Sequence, residues 1–118
     1  MLAQWLRDSS AQVWTYLPLA RQDKKLQTLL AGVIHRQTSC VLLDPYANAF
    51  YADASKVSEW KDDSTDMKPG VHERKWEVDS LCYCLCLAHG YWQTTDDLTP
   101  FDAEWQQAAC LMVATFKE

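Results

Sequence analysis

Between Asp23 and Leu43 the apolar residues Leu26, Leu29, Leu30, Val33 and Ile34 recur at helical spacing, and Asp44-Pro45 closes the run. No other feature constrains the fold as strongly. A one-sided helix of this length must bury its apolar stripe against other elements. Lys24, Lys25, Arg36 and Gln37 suit a wet or polar flank. Pro45 disfavours helical geometry in the residue before it, so the helix is expected to stop there.

The remaining pattern predicts three more helices. Asp8, Ser9 and Ser10 can cap a helix running to about Leu17, where Pro18 follows. Val13, Trp14, Tyr16 and Leu17 would supply its apolar surface. A third helix is expected from about Glu77 to Tyr91, apolar at Leu81, Leu85, Leu87 and Ala88. Thr94 to Thr99 reads as a connector, and Pro100 leads into a fourth helix from about Asp102 to Phe116. Its stripe is Trp105, Ala108, Ala109, Met112 and Phe116. From Pro45 to about Lys75 no period is sustained, and Pro69-Gly70 signals a turn. A loop this long inside a domain is usually functional or disordered. The reading is therefore all-α, two helical hairpins plus one long loop.

Bulk composition narrows the function. A net charge of −5 argues against nucleic acid, whose binders carry a basic patch. No apolar run reaches the ~18 residues of a membrane span. Arg7 and Asp8 leave no room for a signal-peptide apolar region; if the chain is a fragment, any signal would precede Met1. The cysteines Cys40, Cys82, Cys84, Cys86 and Cys110 are odd in number, which argues against a disulfide framework. Cys82, Cys84 and Cys86 lack zinc spacing and a second ligand pair, so packing as small hydrophobes is expected. Six tryptophans fit either core packing or stacking on carbohydrate.

Two stretches set charged groups against tryptophan: Trp5-Leu6-Arg7-Asp8-Ser9-Ser10, and Met67 to Leu81, with His72-Glu73-Arg74-Lys75-Trp76 and Asp79 inside it. Charge beside an aromatic wall suits a sugar pocket. Carboxylates and guanidinium groups bond hydroxyls in the ring plane, while an indole covers the apolar C–H face. The bland readings stand beside this one. Arg7-Asp8 can be a solvated pair with a helix cap, and Glu73 and Glu77 can simply favour a helix N-terminus. A zinc-protease reading of His72-Glu73 fails, because the position four residues after His72 is Trp76.

Both stretches, with Asp44-Pro45-Tyr46-Ala47-Asn48-Ala49-Phe50 between them, closely resemble glycoside hydrolase family 125, the exo-acting α-1,6-mannosidases. The resemblance runs in order from Trp5 almost to the end. It implies a portion of an (α/α)6 toroid, with residues 1–118 the N-terminal part of a single, incomplete catalytic domain. A six-hairpin ring needs about a dozen helices of roughly ten residues, which 118 residues cannot hold. The resemblance implies that the substrate-binding residues are Trp5, Arg7, Asp8, Asn48, His72, Glu73, Arg74, Trp76 and Asp79. It implies no metal and no cofactor. The partners would be a mannose-containing oligosaccharide or N-glycan, and the missing remainder of the domain.

The whole enzyme would hydrolyse terminal α-1,6-linked mannose with inversion. That needs a general acid and a general base roughly 6.5–9.5 Å apart. The resemblance assigns both to segments beyond Glu118, and none of the sixteen acidic residues here is nominated. The alternative is a non-catalytic helical remnant or carbohydrate-binding fragment, and a different toroid glycosidase or sugar epimerase is a further rival. After Cys82-Tyr83 the family pattern leads one to expect proline and then an arginine, where this chain has Cys84, Leu85 and Cys86. An isolated chain of this kind is expected to present an apolar face meant for missing neighbours.

Overall fold

The computed structural model describes residues 3–47, 49–51, 69–74 and 78–117. The element order is β1 (Ala3–Trp5), α1 (Leu6–Trp14), α2 (Leu17–Ala20), α3 (Lys24–Leu43), β2 (Ala49–Tyr51), β3 (Val71–Glu73), α4 (Val78–Thr95) and α5 (Ala103–Phe116). Helix dominates, as the apolar spacing predicts. None of the described helices is long and apolar enough to cross a membrane.

The helix boundaries have local causes. Asp23 caps α3, its carboxylate accepting from the N–H groups of Lys25 (3.0 Å) and Leu26 (3.2 Å). At the other end Asp44 turns extended, at φ −161° and ψ 105°, directly before Pro45. Asp102 caps α5 in the same way, accepting from the Trp105 N–H at 2.9 Å. The first helix departs from expectation. It starts at Leu6, with Trp5 at the cap position and no side-chain cap, because the chain enters it straight from β1. Asp8 therefore sits in the first turn, and Ser9 and Ser10 donate back to the Leu6 carbonyl instead of capping. The helix ends at Trp14, and Pro18 sits in the opening turn of the separate α2, where its missing N–H is harmless.

The supposed structureless loop contains two strands. β1 pairs with β2, and β2 with β3, all antiparallel, in the order β1-β2-β3. Gly70 makes the turn into β3 possible, since its φ of 89° is a conformation that a residue with Cβ rarely adopts. Phe50 and Val71 from this sheet are fully buried, in one cluster with Leu6, Val41, Leu81, Ala108 and Met112. A second cluster joins α2, α3 and α4 through Leu17, Ala20, Leu30, Ile34, Leu87 and Tyr91. The sheet thus closes one end of a helical bundle in which α1 packs on α4 and α3 on α5.

Several expected core positions are on the outside. Leu29, Trp14 and Tyr16 are exposed, because the buried face of α3 runs through Leu30, Ile34, Gln37, Thr38 and Val41. Of the free cysteines, Cys40 and Cys84 pack in the core, while Cys82, Cys86 and Cys110 are exposed. Trp92, Tyr83, Leu98, Leu19 and Val113 add to the exposed apolar surface. Two open apolar depressions result. One of about 430 Å³ lies between α4 and α5 at Trp92, Phe101 and Trp105, and one of about 440 Å³ between α1 and α4 at Trp14, Tyr83 and Cys86.

The turn from α4 to α5 is organised around Asp97. Its carboxylate accepts from the Tyr91 hydroxyl, and from the Thr99 N–H and hydroxyl at 3.0 Å each. The Tyr91 bond, followed by the Thr99 N–H, holds the Asp97 carboxyl below its ordinary value. Burial first, then the bond and charge of Asp97, pushes the Tyr91 hydroxyl from 10.0 up to about 12. A lowered carboxyl contributes stability above its unfolded value and loses it as pH falls through the folded one. A raised phenol contributes below pH ~10 and loses it as pH rises toward ~12. Asp97→Asn should therefore unfold more easily at pH 7, by about 1 kcal/mol. Thermal melts should show that gap closing in acid and narrowing above pH ~10. An equal gap at all three would contradict this account.

Candidate functional site

Three chain segments meet at the sheet end. α1 leaves β1 at Trp5, α4 begins soon after β3, and α3 delivers Asp44. Register does the assembling: Trp5 pairs with Ala49, and Ala49 pairs with Glu73. Trp5 and Glu73, 68 residues apart in the chain, therefore share one row across the sheet. Two strand spacings separate them, roughly 10 Å. Next to that row β3 carries one extra residue: Glu73 faces Ala49 and Val71 faces Phe50, which leaves His72 without a partner on β2. Such bulges recur beside functional sites.

The first polar cluster is Arg7 with Asp8 and Asp79. Arg7 Nη1 donates to Asp79 Oδ2 at 3.3 Å, and Arg7 Nε lies 3.6 Å from Asp8 Oδ1. Both carboxylates stand in the first turn of a helix, Asp8 on α1 and Asp79 on α4, where negative charge is favoured. The three side chains are 46–55% exposed. Pairs this wet add little stability.

The second cluster surrounds Arg74, which follows β3. Its Nε donates to Asp44 Oδ2 at 2.8 Å, and its guanidinium carbon lies 5.3 Å from the centroid of the Tyr46 ring. Arg74 is 21% exposed and Asp44 not at all. The other carboxylate oxygen of Asp44 accepts from the Tyr46 N–H at 3.0 Å. The sequence marks Asp44 as a helix stop and as part of the motif stretch from Asp44 to Phe50, without assigning it a partner. A fully buried carboxylate needs a partner, but its burial is not visible in the letters.

Gln37 lies on a polar flank of α3, buried rather than wet, and its amide nitrogen donates to Ser10 Oγ at 2.8 Å and Ser9 Oγ at 2.9 Å. It thereby pins the start of α1, the turn that carries Arg7 and Asp8. Trp5 is half-buried at the head of that turn. Of the other sequence candidates, Asn48 and Trp76 lie outside the described residues. For His72 and Glu73 the strand is described and the side chains are not.

Comparison with known proteins agrees along the whole chain. The family profile of metal-independent alpha-mannosidases (GH125) matches residues 1–118. The Meiotically up-regulated gene 157 protein of Schizosaccharomyces pombe is 35% identical over 123 residues, covering 98% of this chain and 24% of that protein. A Streptococcus pneumoniae structure belongs to work on widely distributed metal-independent α-mannosidases and the processing of N-linked glycans. It is a non-productive substrate complex with α-1,6-mannobiose. It matches with a TM-score of 0.90 and 40% identity, covering 97% of this chain and 27% of that one. The chain thus spans about a quarter of the length of these relatives. At this likeness the fold is shared, and the helices form part of an all-α toroid.

The wet cluster gives a stability test. Arg7→Ala should change unfolding free energy by less than about 0.5 kcal/mol in chemical denaturation. A loss of 2 kcal/mol or more would make Arg7 a structural residue.

Proposed function

Because this chain belongs to the metal-independent α-mannosidase family (GH125), we propose that it forms the N-terminal part of an exo-acting α-1,6-mannosidase domain and supplies mannose-binding side chains. The observation that carries this reading is Arg7 held between Asp8 and Asp79 in solvent, at the end of the bundle where the motif segments meet. A planar guanidinium flanked by two carboxylates offers donors and acceptors together, which paired sugar hydroxyls require. Trp5 would cover a C–H face of the ring from the adjoining strand. Asn48, His72, Glu73, Arg74 and Trp76 complete the proposed set.

Binding alone does not break a glycosidic bond. Inversion needs an acid to protonate the leaving oxygen and a base to activate water on the opposite face. We assign both to parts of the family fold that this chain does not span. The partner is a mannose-containing oligosaccharide, with an N-glycan as its natural form. The S. pneumoniae relative supports this through its complex with α-1,6-mannobiose and its stated link to N-linked glycans.

The test uses the full protein and α-1,6-mannobiose. Mannose should appear first as the β-anomer by proton NMR, as inversion of an α-linkage demands. Asp8→Ala should lower kcat/KM by about tenfold to a hundredfold through a lost charged hydrogen bond, with little change in melting temperature. Unchanged kinetics would remove Asp8 from the site. Release of the α-anomer first would overturn the inverting mechanism.

A further inference from the structure

Asp44 is the one fully buried carboxylate among the described residues. Burying a charge is expensive unless it is paired, and a pair kept only for stability could be replaced by packed apolar groups. What the charge adds here is orientation. The residue is held at four points. Its N–H donates to the Cys40 carbonyl at 3.1 Å, and its carbonyl accepts from the Ala47 N–H at 3.2 Å. Its two carboxylate oxygens take the Tyr46 N–H and the Arg74 Nε. With Oδ1 tied to the backbone, the carboxylate cannot swing, and Oδ2 has a fixed address.

Arg74 inherits that address. The carboxylate grips its Nε edge, and its guanidinium carbon sits over the Tyr46 ring. The grip is a single bond at Nε, so the two Nη groups on the far edge are the donors left to meet a ligand. The residue directly before Arg74 shares a row with Trp5, two residues before Arg7. The backbone positions that lead into Arg7 and Arg74 thus lie on the two outer strands of the same short sheet.

We propose that Asp44 is a positioning residue: it orients Arg74 so that the Nη edge of the guanidinium bonds hydroxyls of the bound mannoside. This rests on the mannoside-binding reading above and names a residue through which one of its contacts is set.

The experiment measures kcat and KM of the full protein on α-1,6-mannobiose, well below the melting temperature of every variant. Asp44→Asn keeps the shape and the Oδ1 acceptor but turns an NH2 group toward Arg74. It should lower kcat/KM by about tenfold or more. Arg74→Lys should lose a similar factor, because an ammonium cannot be gripped at one edge and donate from the other. The decisive readout is the double variant. If Asp44 acts through Arg74, adding Asp44→Asn to Arg74→Lys should cost less than about threefold more. Should Asp44→Asn fail to fold, Asp44→Glu takes its place. It keeps the charge but moves the grip by one methylene, and should show the same non-additive loss.

Wild-type kinetics in Asp44→Asn, or losses that multiply in the double variant, would overturn the positioning role and leave the mannosidase reading intact. A wild-type protein that neither cleaves nor binds mannobiose would overturn that reading, and the positioning role with it.

Discussion

Three strands of three residues make too few ladder bonds to hold a sheet in water, so β1-β2-β3 depends on what lies beneath it. That support is the burial of Phe50 and Val71 against Leu6, Val41 and Leu81. Everything at the candidate site follows from this contact. It fixes the register that sets Trp5, Ala49 and Glu73 in one row. It fixes where α1 starts, because the strand runs into the helix without a loop. It also fixes Arg74, the residue after β3, close enough for Asp44 to reach. The helices supply the mass of the fold, but two buried side chains on the sheet assemble its polar end.

The two arginine clusters divide the physical work. Arg7, Asp8 and Asp79 sit in water, where screening makes their mutual attraction small. Such groups exchange partners cheaply. Arg74 and Asp44 are drier, and a carboxylate with no exposure cannot exchange its partner without a large desolvation cost. One cluster is therefore adaptable and the other fixed. Gln37 gives the adaptable cluster a rigid base by holding Ser9 and Ser10 from α3.

What the sequence made legible was local. Asp23 and Asp102 announced their helices because a cap acts within three residues, and Asp44-Pro45 ended α3 for an equally local reason. The motif pairing of charge with tryptophan pointed to Arg7, Asp8 and Asp79, which the fold does bring together. What stayed hidden was non-local. A three-residue strand shows no usable period, and its pairing depends on partners tens of residues away. The same holds for burial: Asp44, Gln37 and Leu29 changed roles because the inward face of α3 is set by its neighbours, not by its own stripe alone.

Cys84, Leu85 and Cys86, where the resemblance leads one to expect proline and then an arginine, lie inside α4. α4 runs unbroken through Cys84, Leu85 and Cys86, as a helix without an interior proline can. The three residues face different surroundings. Cys84 lies in the core with Leu6 and Cys40, beside Ser10, and burial first, then Cys40, pushes its thiol up to about 12. At neutral pH it is an uncharged packing group, since only a thiolate is reactive. Cys86 instead lines the depression beside Trp14 and Tyr83, on the outside of the α1–α4 pair. The ion pairs of Arg7 with Asp79 and of Arg74 with Asp44 are made by other side chains. Cys84 and Cys86 thus belong to the packing of α4, and the polar end of the molecule has contacts of its own.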